Sequence, residues 1–499
     1  MLLSFLVIIP FLSGIFSFLL GFVIPKYCKK LCLLSLLITL FLCILIWYQK
    51  KNYLSNIHGL YSNEFLINWI DKFGIHFHLF LDGLSFLMVM LTCVLSIISI
   101  LSIWNQNYEK IGFFYFNLMC MITGMIGVFT SVDLFLFFLF WELSSIPVYF
   151  FIICWGKKTI AITKRIYIAN QFLIYTQISG LLLFLGILVL AWNFYDINHY
   201  WSFNYFELSN MALLNPSLEY YCMLMFFFSF IIKLPIFPFH NWLIDAHKSS
   251  PVSGFLDITG LLLKTSIYGL LRFNIFIFPY YSKKIMFFIT CIGIVNIIYN
   301  SFMAIKSNNI KEIIAYTSLS HIGFILIGIY NSNYISYQGI IIQIISTSLS
   351  IAALFIIASQ LYHKLSTHNI HKMGGLWGYL KWIPSFSLFF IFANLGLPGT
   401  ANFVGEFMVL LGIIKNNFFV TIVIVSSMIL SAIYSLRLFH KIYFGPFNQL
   451  KIVNKYYFIE FFALFMISFL LVYIGFFPQI IFNISNNVMD NIYSLFLVC

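Results

Sequence analysis

The chain has 499 residues, of which 62% are hydrophobic, 20% aromatic and 8% charged, and its formal net charge is +12. A soluble domain carries about 25% charged residues, and no core packed in water could absorb this much apolar surface, so a water-soluble enzyme or binding domain is excluded. The basic excess is scattered through short polar stretches and forms no nucleic-acid-sized patch, so it reads as membrane topology.

Apolar runs of roughly 20 residues, enough to cross ~30 Å of hydrocarbon as helix, recur along the whole sequence. They predict fourteen spans, near 2–22, 31–48, 83–104, 112–130, 133–153, 167–192, 219–241, 253–275, 284–304, 310–330, 336–362, 380–413, 418–440 and 457–478. The expected fold class is all-α, a polytopic membrane bundle. The stretch 2–22 is expected to be a retained span, since it is long for a signal peptide and weakly followed by a cleavage site. Loops are short except 49–82 and 193–218.

Charge orients the bundle. Loops after odd-numbered spans hold seventeen lysines and arginines, from Lys26 to Lys455, against seven after even-numbered spans, Arg272 among them. The richer set belongs on the cytoplasmic or matrix side, with both termini opposite. Single cysteines at Lys158 and Asn204, in a background without native thiols, should therefore react with an impermeant label from opposite sides. Labelling of both from one side would overturn the span order.

Two spans carry their own interruptions. The seventh contains Lys233-Leu234-Pro235 and then Pro238, and proline both removes a backbone donor and clashes with the carbonyl four residues back. The twelfth contains Gly396-Leu397-Pro398-Gly399. Unwound backbone at membrane depth is tolerated only inside protein or beside a water-filled cavity. The expected organisation is one integral membrane domain: helices 1–3 within 1–111, a first five-helix repeat over 112–275, a second over 284–442, and a last helix at 457–478. Each break then falls in the fourth helix of its repeat, and matching breaks in two halves point to a transport path between inverted repeats.

Nine cysteines lie scattered without a CxxC, Cys28 and Cys32 being the closest pair, so neither a disulfide framework nor a zinc or iron–sulfur site is indicated. No Gly-rich phosphate loop follows a predicted strand.

The chemistry lies in charges inside the spans. Glu142, Lys233, Lys264 and Glu406 each interrupt an apolar run, at ~2.5–3.5 kcal/mol apiece on insertion scales unless paired, protonated or hydrated. They could be ion pairs that only lock helices together, but intramembrane ionisable residues usually mark ion or proton paths. A Glu142–Lys233 pair is expected to be the charge pair that opens and closes. His321, in the stretch Ser318-Leu319-Ser320-His321-Ile322, is either a packing histidine or a proton relay. Asp257 stands two turns before Lys264 on the same helix face and is a candidate partner. His240, His247 and Lys311 are secondary candidates; His368 and His371 are expected to face water. Asp133 is expected to open its helix.

These residues carry a resemblance. Ser131-Val132-Asp133-Leu134 through Trp141-Glu142-Leu143, and Lys233-Leu234-Pro235-Ile236-Phe237-Pro238-Phe239-His240-Asn241-Trp242-Leu243 followed by Ala246-His247 and Pro251, resemble the antiporter-like subunits of respiratory complex I. So do Gly260-Leu261-Leu262-Leu263-Lys264, Ala315-Tyr316-Thr317-Ser318-Leu319-Ser320-His321 and Leu397-Pro398-Gly399-Thr400-Ala401-Asn402-Phe403-Val404-Gly405-Glu406-Phe407. The final glutamate, and a chain closing soon after the last span, look like the mitochondrial subunit 4 or bacterial chain M type. The resemblance implies a membrane-arm subunit of NADH:quinone oxidoreductase that translocates protons through Glu142, Lys233, Lys264, His321 and Glu406. It implies no cofactor or metal in this chain, with NADH, FMN, iron–sulfur clusters and quinone in partner subunits. It also implies neighbouring antiporter-like subunits as partners and a bacterial inner membrane, or alternatively a mitochondrial one. The rival readings are a subunit of a multi-chain Na⁺(K⁺)/H⁺ antiporter and a scaffold that has lost transport. Three positions depart from the family pattern: Gln171 where a lysine is usual, Thr347 where a histidine is often found, and Asn309 where an aspartate is usual.

Overall fold

The computed structural model describes residues 2–51, 64–106, 108–157, 160–209, 216–250, 255–331, 333–446 and 457–498. Lys158 and Pro251 lie outside them. Six long helices open the described chain: α1 (Leu2–Val23), α2 (Cys28–Lys51), α3 (Gly83–Ser102), α4 (Ile111–Thr130), α5 (Leu134–Trp155) and α6 (Ile162–Asn198). A hairpin of β1 (Glu64–Ile70) and β2 (Ile75–Phe80) separates α2 from α3. Then come α7 (Tyr205–Ser209), α8 (Pro216–Lys233), α9 (Asn241–Ser249), α10 (Phe255–Gly269), α11 (Ile275–Ile277) and α12 (Pro279–Lys284). The second half holds α13 (Met286–Lys306), α14 (Ile310–Tyr330), α15 (Tyr334–Leu365), α16 (Ile383–Asn394), α17 (Ala401–Asn416) and α18 (Phe418–Tyr443), followed by α19 (Phe458–Phe476) and α20 (Gln479–Val498).

Among the described residues twelve helices are long and apolar enough to cross a membrane. The other two expected spans, 219–241 and 380–413, are the interrupted ones. The first is α8 and the break at Pro235 and Pro238, with α9 beyond its expected end; the second is α16 and α17, parted at Pro398 and Gly399. At the second break Gly396 (φ +73°) and Gly399 (φ +93°) turn the chain in the left-handed region that other residues avoid. The two halves run in parallel order: α4, α5, α6, α8/α9, α10 and then α13, α14, α15, α16/α17, α18. In both, the third helix is long (37 residues in α6, 32 in α15) and the fourth is broken.

Burial places the centre. The most apolar windows of α14 and α15 are 100% buried, against 22% for α19, so the former form the axis and the latter lies at the periphery. Yet α14 and α15 carry Ser318, Ser320, His321, Gln343, Thr347 and Ser350, all buried. An axis with this much buried polarity needs internal partners, because buried polar groups left unpaired are costly.

Three features depart from the expected bundle. The segment 49–82 contains the antiparallel hairpin, with Glu64 opposite Phe80 and Leu66 opposite His78, so the fold is helical with one small sheet. Its turn sits against the loop after α6, where a Cβ on Gly74 would come 2.0 Å from the Trp201 carbonyl oxygen. Next, residues 193–198 continue α6 and are not loop. Last, α20 follows α19 and is tied to the axis by Ser485 Oγ donating to Gln338 Oε1 (3.0 Å) and Gln338 Nε2 donating to Asn486 Oδ1 (2.9 Å).

Arg272 is also displaced from its expected place. It lies buried in a π-helical turn, Leu270–Asn274, and forms an ion pair with buried Asp82. Asp82 in turn caps α3 through Ser85 N (2.8 Å), and Tyr205 presents its ring 4.9 Å from the guanidinium. Arg272 therefore belongs to the interior and not to the loop charges.

Candidate functional site

Asp133 starts α5 by accepting from Phe135 N (2.9 Å) and Leu136 N (3.1 Å), as expected of a helix cap. This fixes Glu142 as the ninth residue of a 22-residue helix, too deep to reach either surface. Its carboxylate accepts from Gln177 Nε2 of α6 at 2.5 Å. Its other oxygen faces Gly180, one turn further along α6: a Cβ there would stand 1.9 Å from Glu142 Oε1.

Lys233 is wholly buried at the last residue of α8. Its ammonium donates to the Trp141 carbonyl (3.0 Å) and to Ser144 Oγ (3.4 Å) and lies 3.6 Å from the centroid of the Trp141 ring. The expected direct Glu142–Lys233 ion pair is thus absent from the described salt bridges. Glu142 turns toward α6 while Lys233 is held on the backbone of α5 itself. The two still act on each other electrostatically across that short offset.

Lys264, buried on α10, donates to Thr347 Oγ1 of α15 (3.0 Å), and Thr347 donates on to the Gln343 carbonyl (2.6 Å). The residue standing where the family often has histidine is therefore the direct partner of the lysine. A cavity of about 20 Å³ beside it is lined by His247, Lys264, Ser318, Thr347 and Ser348 with apolar residues around them, room for one water by the usual measure of roughly 10–15 Å³.

Glu406, buried on α17, completes the second half. His321 Nδ1 of α14 is 3.7 Å from Glu406 Oε1, and Gln343 Nε2 donates to the same oxygen at 3.3 Å. Its other oxygen faces the second break, where a Cβ on Gly396 would come 2.5 Å from Glu406 Oε2. Asn402, one turn before Glu406, donates to Ser350 Oγ (3.3 Å).

The structure therefore gathers Lys264, His321 and Glu406 around Gln343 and Thr347 of α15, and places Glu142 and Lys233 on either side of α5. No described hydrogen bond links Lys233 to Lys264. Asp257 has a side chain outside the described residues. His240 and His247 are not brought together: His240 packs 5.0 Å from the Tyr299 ring, and His247 stacks 4.8 Å from Phe355. Lys311 is buried at the start of α14 and donates to the Ser250 carbonyl (3.3 Å), while Asn309 caps that helix through Lys311 N as an aspartate would. His371 is exposed as expected, but His368 is buried and stacked 4.3 Å from Tyr362. Burial, with Lys311 and Lys157 nearby, pushes the His368 imidazole well below the usual histidine range. In the loop after α5, burial pushes Lys157 down to about 8, opposed by Glu312.

Residues that sequence reading missed are Gln177, Gly180, Gln343 and Asn296. Asn296 of α13 accepts from Phe237 N inside the first break (3.1 Å) and donates to the Leu319 carbonyl of α14 (2.7 Å). The available signal was weak: uncharged amides in apolar helices, with Asn296 and Asn300 one turn apart.

Gly180→Ala should show what the glycine contributes. Alanine favours helix over glycine by about 1 kcal/mol, but the clash with Glu142 costs about 1–3 kcal/mol as overpacking and displaces the carboxylate from Gln177. The variant should assemble less well and lose most of its transport, read as complex yield and proton uptake by vesicles.

A family model described as the transmembrane region of NADH:quinone oxidoreductase and Mrp antiporters matches residues 131–431. The chain is similar to NADH-quinone oxidoreductase subunit M of Buchnera aphidicola subsp. Schizaphis graminum, with 46% identity over 99% of both chains. It is similar to the same subunit of Escherichia coli K12, with 41% identity over 100% of this chain and 98% of that one. Its fold matches a chain of respiratory complex I from Thermus thermophilus with bound NADH, at TM-score 0.86 and 22% identity, covering 99% of this chain and 100% of the other. Motifs, fold and relatives agree along the whole length, and the chain belongs to the NADH:quinone oxidoreductase/Mrp antiporter membrane family, in its subunit M group.

Proposed function

We propose that this membrane subunit of NADH:quinone oxidoreductase moves protons along Glu142, Lys233, Lys264, His321 and Glu406, driven by electron transfer in partner subunits. The observation that carries the reading is the cluster on α15. A lysine, a histidine and a glutamate from three different helices converge, buried, on Gln343 and Thr347 beside a cavity that admits water. Titratable groups this deep in a bundle are costly unless paired or hydrated and usually mark ion or proton paths; here Lys264 rests on the Thr347 hydroxyl, and Glu406 on the Gln343 amide with His321 beside it.

The two five-helix sets, 112–275 and 284–442, are the two half-channels of this reading. Glu142 and Lys233 serve the first; Lys264 joins it to His321 and Glu406 in the second. NADH, FMN, iron–sulfur clusters and quinone belong to other subunits, neighbouring antiporter-like subunits flank this one, and the membrane is the bacterial inner membrane. Purification of the assembled complex tests partnership: flavin- and iron–sulfur-bearing subunits should accompany the chain. An assembly with antiporter subunits alone would favour Na⁺(K⁺)/H⁺ exchange. Pumping is tested by the proton-to-electron ratio of that complex when Glu142 or Lys264 can no longer exchange a proton.

A further inference from the structure

Each glutamate of the site is held by a glutamine from the long third helix of its half. Gln177 of α6 donates to Glu142, and Gln343 of α15 donates to Glu406. Each glutamate also has its second oxygen against a glycine, Gly180 or Gly396, whose missing Cβ leaves the space in which that oxygen sits. We propose that Gln177 and Gln343 are positioning residues for proton transfer, whose amides hold each glutamate when it is charged and reverse to hold it when it is protonated. The proposal rests on the reading of Glu142 and Glu406 as proton carriers.

The chemistry follows from the two ends of an amide. A carboxylate only accepts hydrogen bonds, whereas a carboxyl also has an O–H to donate. An amide offers N–H to the first and C=O to the second, so half a turn about its last bond serves both states. No proton leaves or joins the amide in this motion; the one that arrives stays on the carboxyl. A lysine in the same place would favour the charged state alone.

Reversal needs an acceptor end that nothing else occupies. Gln343 is fully buried and its Oε1 has no hydrogen-bond partner. A buried acceptor left empty in one state costs free energy, and the state that fills it is a protonated Glu406. Gly405 secures the space, since a Cβ there would stand 2.5 Å from Gln343 Oε1. The charged and titratable groups that act on the pairs come from other helices. Lys233 of α8 acts on Glu142. His321 of α14 and Tyr434 of α18 lie about Glu406, with Lys264 of α10 acting through His321.

The test uses the whole complex in membrane vesicles, with proton uptake and quinone reduction measured over a pH series. Gln177→Met and Gln343→Met keep the length of the side chain and remove both ends of the amide. Each should assemble, pump several-fold less than wild type, and displace the pH profile by about one unit. The exchange Glu142→Gln with Gln177→Glu rebuilds the pair with its members swapped, and should recover pumping that Glu142→Gln alone has lost. If a methionine variant fails to assemble, Gln177→Asn and Gln343→Asn keep an amide one methylene short and should displace the profile less. Wild-type pumping with an unchanged profile in the methionine variants, or in the asparagine variants where those alone assemble, would overturn the proposal. Normal pumping by Glu142→Gln would instead remove the reading on which it rests.

Discussion

Glu142→Gln is expected to assemble at the wild-type level and to pump protons at less than about a tenth of the wild-type rate, the scale on which proton-transfer groups act. The geometry separates the two parts of this outcome. Were Glu142 the buried counter-ion of Lys233, its neutralisation would strand a charge and cost ~3–5 kcal/mol, so the complex would fail to form. But Lys233 rests on the Trp141 carbonyl, Ser144 Oγ and the Trp141 ring, none of which the substitution touches. A glutamine at position 142 also keeps an oxygen for Gln177 Nε2 and the shape that Gly180 accommodates. What is lost is the titrating charge, and with it the capacity to bind a proton. Yield of the assembled complex and proton uptake, measured on the same preparation, check both halves, and normal pumping by the assembled variant would end the role of Glu142.

Lys264→Arg should assemble as well, yet its pumping should fall to the same low level. Arginine keeps the positive charge and can donate to Thr347 Oγ1 as Lys264 does, but it holds its proton at any accessible pH, so it cannot hand one on. Its guanidinium is also larger than the ammonium and must take the small space beside Lys264 that is lined by His247 and Ser318. A cation needed only to satisfy Thr347 would tolerate the change. The proton-to-electron ratio of the purified variant decides, and a wild-type ratio would remove Lys264 from the path.

The spans were legible because hydrophobic length is a local property: each of the twelve uninterrupted helices is apolar enough to show in its own window. The two breaks were legible for the same reason, since Pro235, Pro238 and Pro398 act on the backbone beside them. Partnership was not. Glu142 and Lys233 read as a pair because they are opposite charges in neighbouring helices, but which rotamer each takes depends on Trp141 and Gly180, and neither bears a charge. Gln177 and Gln343 give only a weak signal, because an amide barely perturbs a window of leucine and isoleucine. The hairpin is hard to read from sequence, since Glu64–Ile70 and Ile75–Phe80 are short and pair only with each other. Helix α20, which packs on α3 and α15, is equally hard to read, because Asn483, Asn486, Asn487 and Asp490 dilute its apolar window.

Asn296 has a mechanical meaning. One buried side chain grips the backbone amide of Phe237, within the first break, and the carbonyl of Leu319, two residues from His321. An amide side chain is short and its two grips are directional, so it behaves as a strut and not a spring. When the chain at Phe237 shifts, Leu319 must follow or a buried carbonyl loses its donor. The broken backbone at Phe237 is thereby geared to the helix that carries His321, and work done at one can arrive at the other without any charge having crossed between them.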